Sequence, residues 1–139
     1  MRLVFADTSH YLALFGPRDR HHPVAVSWSR QTDLSVVTSE FVLVELGNAL
    51  TRGNDRGLFL DLDRALRADT GIEIVSASPE LYRQGVELFA RRPDQTWSLV
   101  DCTSFVIMNR RGVTEALTAD QHFLQAGFRA LLLEPPPAG

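Results

Sequence analysis

Short apolar runs alternate along this chain with longer segments of helical periodicity, and this alternation constrains the fold more than any other feature. A helix between two strands acts as a crossover connection, which makes the strands parallel and places the helices on the faces of the sheet. We therefore predict an α/β fold with a mostly parallel sheet that is covered on both faces. The predicted strands are residues 3–6, 34–38, 72–75, 116–118 and 130–133.

The segments between the strands combine helical periodicity with start and stop signals. Ser78 is a typical N-cap, because Pro79 follows it at the first helical position. Gly53 is placed to end the third helix in a left-handed conformation, and Gly112 follows the sixth helix. The predicted helices are residues 11–15, 23–28, 39–52, 58–66, 79–91, 99–111 and 121–126.

The length of the chain and its single cysteine limit the kind of protein it can be. Its 139 residues fit one domain, which we predict to cover residues 1–134, followed by a flexible Pro-rich tail over residues 135–139. Cys102 has no partner for an internal disulfide, and no apolar run approaches the ~20 residues of a membrane span. We therefore expect a cytoplasmic protein without a membrane segment. The net charge of −3 argues against a protein that coats nucleic acid, but not against an enzyme.

Two acidic residues follow predicted strands. Asp7 comes directly after the first strand, and Asp120 follows the fourth with only Ala119 between them. Parallel sheets bind ligands beyond the carboxyl ends of their strands, at the point where the strand order reverses. If the first and fourth strands are neighbours, Asp7 and Asp120 meet at such a place.

Two further acidic residues, Glu45 and Asp101, lie on stripes of predicted helices that face the core. Their neighbours at helical spacing are Phe41, Val42, Asn48 and Ala49 around Glu45, and Phe105 and Met108 around Asp101. A buried carboxylate must be paired, protonated or bound to a metal. Since no Lys or His occupies a neighbouring position, we predict that a cation binds here. Four clustered carboxylates would also repel one another, which should raise the pKa of at least one of them.

Each of these acidic residues also has a purely structural alternative. Asp7 and Asp120 precede helices and could be N-caps, whereas Glu45 and Asp101 could lie at the edges of their stripes and reach water. Three nearby hydroxyls could support the acids or could cap helices: Thr8, Ser9 and Thr103. The histidines lack metal-site spacing with Cys102, and we interpret all four as ordinary side chains: His10, His21, His22 and His122.

Four fragments, in this order and spacing, resemble the PIN-domain ribonucleases, and most closely the VapC-type toxins of bacterial toxin–antitoxin pairs. The first is FADTS at 5–9, the third is SLVDCTSF at 98–105 and the fourth is TADQHF at 118–123. The second lies within residues 38–50 and consists of Thr38-Ser39, Val44-Glu45 and Asn48-Ala49-Leu50. The final Ala126-Gly127-Phe128 is similar as well. The resemblance covers residues 3–133. It implies a three-layer α/β/α domain with a parallel sheet of about five strands, in which the family's acidic quartet is matched by Asp7, Glu45, Asp101 and Asp120.

The resemblance further implies a metal-dependent endoribonuclease that hydrolyses RNA phosphodiester bonds. Carboxylate oxygens are hard ligands, so Mg²⁺ is expected, with Mn²⁺ as a substitute, and not Zn²⁺. Asp7, Asp101 and Asp120 would be the main metal ligands, while Glu45 would complete the shell or orient the attacking water. Five arginines could contact phosphate or could be solvated near helix ends, and we favour the second interpretation for the last four: Arg52, Arg91, Arg92, Arg110 and Arg111.

A VapC-type protein is also expected to bind a small antitoxin and to form a homodimer. An antitoxin tail that brings an Arg into the acidic pocket could bridge two carboxylates and exclude the metal. Apolar anchors for the antitoxin, or for a second copy of this chain, are expected on the early helices. The residues expected there are Tyr11, Leu14, Phe15, Leu43 and Leu46.

Other functions fit the sequence less well. A receiver-type signalling domain uses a Lys beside its phosphorylated Asp, but all fourteen basic residues of this chain are Arg. Nucleotide binding through G-x-G-x-x-G or G-x-x-x-x-G-K-[ST] is excluded because neither motif occurs. A non-catalytic PIN-like scaffold that binds RNA or a protein partner keeps the same fold and is the alternative to an enzyme.

Overall fold

The computed structural model of the protein describes residues 1–138 and contains a parallel sheet of five strands. The strand order is β3-β2-β1-β4-β5, and every neighbouring pair is parallel. This arrangement confirms the predicted parallel sheet and the predicted contact between the first and fourth strands. The strands are β1 (Arg2–Ala6), β2 (Leu34–Ser39), β3 (Ile72–Val75), β4 (Glu115–Leu117) and β5 (Arg129–Ala130).

Helices cover both faces of this sheet, which confirms the three-layer α/β/α architecture. On one face, α1, α2 and α4 pack against Val4 and Ala6 of the central strand. On the other face, α5, α6 and α7 pack against Phe5 and Val37, and α3 contributes side chains to both cores. The helices are α1 (Thr8–Phe15), α2 (His22–Ser29), α3 (Glu40–Ala49), α4 (Asp55–Ala68), α5 (Pro79–Arg91), α6 (Leu99–Arg111) and α7 (Gln121–Gln125), and a 3₁₀ turn follows at Leu131–Leu133.

Four predicted element boundaries were wrong by three residues. The first helix begins at Thr8 and not at Tyr11. The third helix ends at Ala49 and not at Arg52, because Leu50 turns into the core, so Gly53 adopts its left-handed φ of 54° outside the helix. The fourth helix begins three residues earlier than predicted, at Asp55. The fifth strand ends at Ala130, where the chain turns into a 3₁₀ helix that buries two consecutive leucines. These leucines, Leu131 and Leu132, belong to the 3₁₀ turn.

The ends of the described chain add two observations. No helix among residues 1–138 has the length and hydropathy needed to cross a membrane. Residues 135–138 form no regular secondary structure, and Gly139, the last residue of the predicted tail, lies outside the described residues.

The sheet order fixes where a site can form. β1 lies between β2 and β4, so the strand order reverses beside its carboxyl end. The backbone N–H of Asp7 continues the pairing beyond this end and donates to the carbonyl of Leu117 at 3.1 Å. The chain therefore leaves β1 and β4 side by side, at the edge where the predicted acidic residues follow.

Candidate metal centre

Asp7 is the most deeply placed carboxylate of this edge. It precedes α1 in extended backbone geometry, but its side chain does not cap the helix, so the N-cap alternative is wrong for this residue. Instead, its Oδ2 accepts hydrogen bonds from Thr118 Oγ1 at 2.9 Å and from Ser9 Oγ at 3.1 Å. The side chain is therefore held by β4 as well as by its own helix.

Burial raises the pKa of Asp7 to about 6, and it does so against the hydrogen bond from Thr118, which lowers the value. The negative charge of Asp101 raises it further. The predicted increase in a carboxyl pKa is thus confirmed, but its main cause is loss of hydration, with repulsion between the acids as a smaller contribution.

Asp101 occupies the first turn of α6 and is buried. Its backbone N–H donates to Ser98 Oγ at 3.0 Å, while the Ser98 N–H donates to Asp101 Oδ2 at 3.0 Å, which forms a capping box. The predicted stripe is correct, because Phe105 and Met108 are buried in the core. The capping box fixes the orientation of the carboxylate at the edge of that core.

Asp120 begins α7 and is half-buried. Its Oδ1 accepts a hydrogen bond from the backbone N–H of His122 at 2.8 Å, so the N-cap alternative is correct for this residue. Its own backbone N–H donates to Thr118 Oγ1 at 3.0 Å. Thr118 therefore contacts both Asp7 and Asp120 and sets their relative position.

His122 is the residue of this site that sequence reasoning missed. Its Nδ1 donates to Asp101 Oδ2 at 2.8 Å and lies 3.4 Å from Asp120 Oδ1. The interpretation of His122 as an ordinary side chain missed this contact, although, as the sequence indicates, no Lys or His occupies a position neighbouring Asp101 within α6. The contact joins α6 to α7, so helical spacing within α6 could not reveal it. A histidine two residues after a strand-end aspartate was the available signal.

Asp101, Asp120 and His122 each offer a ligand atom, and these atoms all lie within 4.8 Å of one another. Glu45 does not belong to this group of three. It is half-buried, its neighbours Asn48 and Ala49 are exposed, and the alternative that it lies at the edge of its stripe is correct. Its Oε1 accepts a hydrogen bond from Thr8 Oγ1 at 2.6 Å, which ties it to the first turn of α1.

The predicted hydroxyls, arginines and apolar anchors are only partly as expected. Thr8 and Ser9 support acidic residues, whereas Thr103 donates to the carbonyl of Val100 within its own helix. Three of the five candidate arginines form ion pairs with exposed carboxylates, which agrees with the solvated interpretation: Arg92 with Asp94, Arg110 with Glu80 and Arg111 with Glu73. The prediction of apolar anchors for a partner was wrong for three residues, because these are buried in the core of this chain: Tyr11, Leu43 and Leu46.

The donor set fits a hard divalent cation. In each of the four acids, the side-chain hydrogen bonds given above converge on one oxygen: Oδ2 of Asp7 and Asp101, Oδ1 of Asp120 and Oε1 of Glu45. The second oxygen of each carboxylate is left for another ligand. A cation beside Asp7 would also offset the cost of burying its charge. The neighbouring thiol of Cys102 is a poor competitor, because burial raises its pKa above the usual value.

Comparisons with known proteins show the family to which this fold belongs. The family model described as PIN domain matches residues 4–129. The 23S rRNA-specific endonuclease VapC20 of Mycobacterium tuberculosis is 31% identical over 127 residues, which is 91% of this chain and 95% of that protein.

Two solved structures are similar as well. The crystal structure of Mycobacterium tuberculosis VapC20, described as a sarcin–ricin loop cleaving toxin, superimposes with a TM-score of 0.79 at 30% identity, over 90% of this chain and 95% of that one. FitAcB from Neisseria gonorrhoeae has a TM-score of 0.59 at 15% identity, over 91% and 94% of the two chains, and shows the fold alone.

Proposed function

This chain belongs to the PIN-domain family as a VapC-type, metal-dependent ribonuclease of a toxin–antitoxin pair, and we propose that Asp7, Glu45, Asp101 and Asp120 form its active site. The observation that carries the assignment is the meeting of Asp101 and Asp120 at the carboxyl edge of the sheet, beside the buried carboxylate of Asp7. Repulsion between Asp101 and the buried carboxylate of Asp7 costs stability in the absence of a cation, and a bound cation would offset this cost.

The metal would be held by Asp7, Asp101 and Asp120, through the oxygens that their own hydrogen bonds leave free. Mg²⁺ is the expected ion and Mn²⁺ its substitute, because both prefer carboxylate oxygen and water. When bound, such an ion activates a water and neutralises charge on a phosphodiester. His122 would act mainly by positioning, since its Nδ1 holds Asp101 Oδ2.

Glu45 has a different role in this proposal. Its Oε1 is held by Thr8, which leaves Oε2 to accept a hydrogen bond from a water at the site. That contact would align the attacking water with the phosphorus and the leaving oxygen. Because Thr8 follows Asp7 directly, the first turn of α1 sets the spacing between this carboxylate and the metal ligands.

The substrate is an RNA. The similar protein from Mycobacterium tuberculosis is named for 23S rRNA, and its structure is described as that of a toxin that cleaves the sarcin–ricin loop. We therefore propose the sarcin–ricin loop of 23S rRNA as the first substrate to test. With a net charge of −3, this protein has little bulk attraction for RNA, so recognition of a particular RNA shape suits it better than broad binding.

The test is a cleavage assay on an RNA oligonucleotide of the sarcin–ricin loop and on total cellular RNA, with Mg²⁺ and with excess chelator. We expect cleavage only with the ion, and at least a 100-fold loss in Asp101→Asn, since an amide is a poor ligand for a hard cation. Asp61→Asn is the matched control, because Asp61 is exposed on α4 and pairs only with Arg64. Full cleavage by Asp101→Asn in chelator would refute the site, and RNA binding without any cleavage would favour the scaffold alternative.

An antitoxin and a second copy of this chain would use different apolar surfaces. Val44 and Leu60 are exposed beside the groove between α3 and α4. We propose this groove as the antitoxin-binding surface, in place of the anchor residues that proved to be buried. A stripe on α5, formed by Tyr82, Val86 and Phe89, is exposed on the opposite face and suits a homodimer. The antitoxin would bring an Arg to the carboxylates, and both partners would be met in the cytoplasm.

Co-expression tests the partner. A gene product encoded beside this chain should bind it and restore growth that the chain alone inhibits. A chain that leaves growth unaffected and has no inhibitory neighbour would not be a toxin, even if it cleaves RNA.

A further inference from the structure

A cavity of about 230 Å³ lies on the face of the sheet that α1, α2 and α4 cover. Its lining includes Gln31, Asp69 and Gly71, which lie just before the amino ends of β2 and β3. This part of the cavity therefore lies toward the edge of the sheet opposite to the carboxylates. Its wall is largely apolar and includes Leu14, Val36, Leu62, Leu66, Ile72 and Leu117.

Two residues that line this cavity each have a buried polar atom without a hydrogen-bond partner among residues 1–138. The atoms are Nδ1 of His10 and Nε1 of Trp28, and these side chains are only 4% and 5% exposed. Buried polar groups in folded proteins are almost always paired, so two unpaired atoms in the lining of one cavity require an explanation. The mechanism proposed above uses neither residue.

The chemistry of the two atoms defines what could pair with them. The indole Nε1 of Trp28 can only donate, so it needs an acceptor oxygen or nitrogen. The Nδ1 of a neutral His10 imidazole can donate or accept according to the tautomer. Neither group carries a charge that would repay the dehydration of an ion.

The volume of the cavity and its apolar lining further limit which ligands could bind. A cavity of about 150 Å³ is known to hold a benzene ring, so 230 Å³ has room for a larger ring system. Water alone is a poor occupant of this space, because each water needs two to four polar partners and most of the wall is apolar.

We propose that this cavity binds a neutral organic molecule the size of one or two rings, which carries a hydroxyl or carbonyl oxygen for His10 and Trp28. The apolar body would lie against the leucine side of the wall, and the oxygen would accept from the Trp28 N–H. A hydroxyl could at the same time donate to an unprotonated His10 Nδ1. This site goes beyond the nuclease function and does not depend on it.

The site also has a route to the carboxylate edge. His10 lies in the first turn of α1, and its backbone N–H donates to the carbonyl of Asp7 at 3.1 Å. The two residues between them, Thr8 and Ser9, contact Glu45 and Asp7. The lining of the cavity and the carboxylate edge therefore share the first turn of α1.

Nuclear magnetic resonance of the full chain labelled with ¹⁵N provides the test, because the protein has two tryptophans and the second is an internal control. Trp97 Nε1 donates to Gln125 Oε1 at 3.1 Å on the other face of the sheet. We expect 2-naphthol to shift the Trp28 indole signal saturably and to leave the Trp97 signal in place. Naphthalene, which lacks the oxygen, should bind about tenfold more weakly, as expected for one or two hydrogen bonds.

Two variants test whether the probes bind beside Trp28. Trp28→Phe keeps an aromatic body and removes the N–H, so it should reduce the preference for 2-naphthol over naphthalene, while Trp97→Phe should keep the tenfold preference. The proposal is overturned if neither probe saturates, if naphthalene binds as tightly as 2-naphthol to the unaltered protein, or if both indole signals move together. The comparison of the two probes on the unaltered protein decides the question even where Trp28→Phe fails to fold.

Discussion

At the scale of single residues, Asp7 shows how the site costs stability when no cation is bound. Its pKa is about 6 in the folded protein, compared with an ordinary value of 3.8. The folded state therefore binds more protons than the unfolded state between about pH 4 and pH 6. Stability must fall as the pH rises through this window and stay low above it.

Asp7→Asn should remove this cost. A shift of about two pKa units corresponds to about 3 kcal/mol, so the metal-free variant should be more stable than the unaltered protein by up to that amount at pH 7. The difference should disappear below about pH 4, where the unaltered carboxyl is protonated in both states. Urea unfolding in chelator at pH 4 and pH 7 measures it. A variant that is less stable at pH 7 would contradict a buried, unpaired charge.

For His122 we predict an effect on metal binding, because its side chain holds the proposed metal ligand Asp101. His122→Ala should weaken Mn²⁺ binding about 10–100-fold, the range for residues that orient metal ligands, and should reduce cleavage in proportion. His21→Ala is a matched control, because the His21 side chain forms no hydrogen bond with any of the four proposed site carboxylates. Calorimetric titration of Mn²⁺ into both variants provides the measurement, and equal affinities would show that His122 has no part in the site.

At the scale of secondary structure elements, three helices begin with a serine cap: Ser39 at α3, Ser78 at α5 and Ser98 at α6. Of these helices, only α5 carries none of the proposed site residues. Ser98 caps α6 through the N–H of Asp101, and Ser78 caps α5 through the N–H of Leu81. Each substitution by Ala should destabilise the fold by about 1 kcal/mol.

Only Ser98→Ala should also reduce cleavage, because the cap holds the turn that presents the Asp101 carboxylate. Thermal unfolding and cleavage rates of Ser98→Ala and Ser78→Ala, measured side by side, separate the two effects. If both variants lose stability and neither loses activity, the capping box serves α6 alone.

The elements also show what a sequence can reveal and what it cannot. The apolar run of β1 and the aspartate after it predict a strand end with a carboxylate, because both signals are local. Leu131 and Leu132 have the apolarity of a strand that is buried on both faces, and apolarity alone does not distinguish such a strand from the buried 3₁₀ turn that they form. His122 meets Asp101 across two helices, so no periodicity within either helix could predict that contact. An apolar stripe marks a buried face without naming what covers it, and for this reason Tyr11 was mistaken for a partner anchor.

At the scale of the whole molecule, the exposed stripe on α5 predicts self-association. Tyr82 and Phe89 are each about half exposed, on a helix whose other face packs in the core. We expect Phe89→Glu to shift the protein from dimer to monomer, because a carboxylate at the centre of an apolar interface is costly. Leu60→Glu changes an equally exposed apolar residue on the opposite face and should leave the dimer intact. Sedimentation equilibrium measures both, and a monomeric unaltered chain would refute this interface.

The central claim for the molecule is that its clustered carboxylates hold a divalent cation, and calorimetric titration of Mn²⁺ into the metal-free protein tests it most directly. We expect saturable binding near neutral pH, at least tenfold weaker binding in Asp101→Asn, and unchanged binding in Asp61→Asn. Absence of saturable binding up to millimolar Mn²⁺, or equal affinity in Asp101→Asn and the unaltered protein, would contradict the claim.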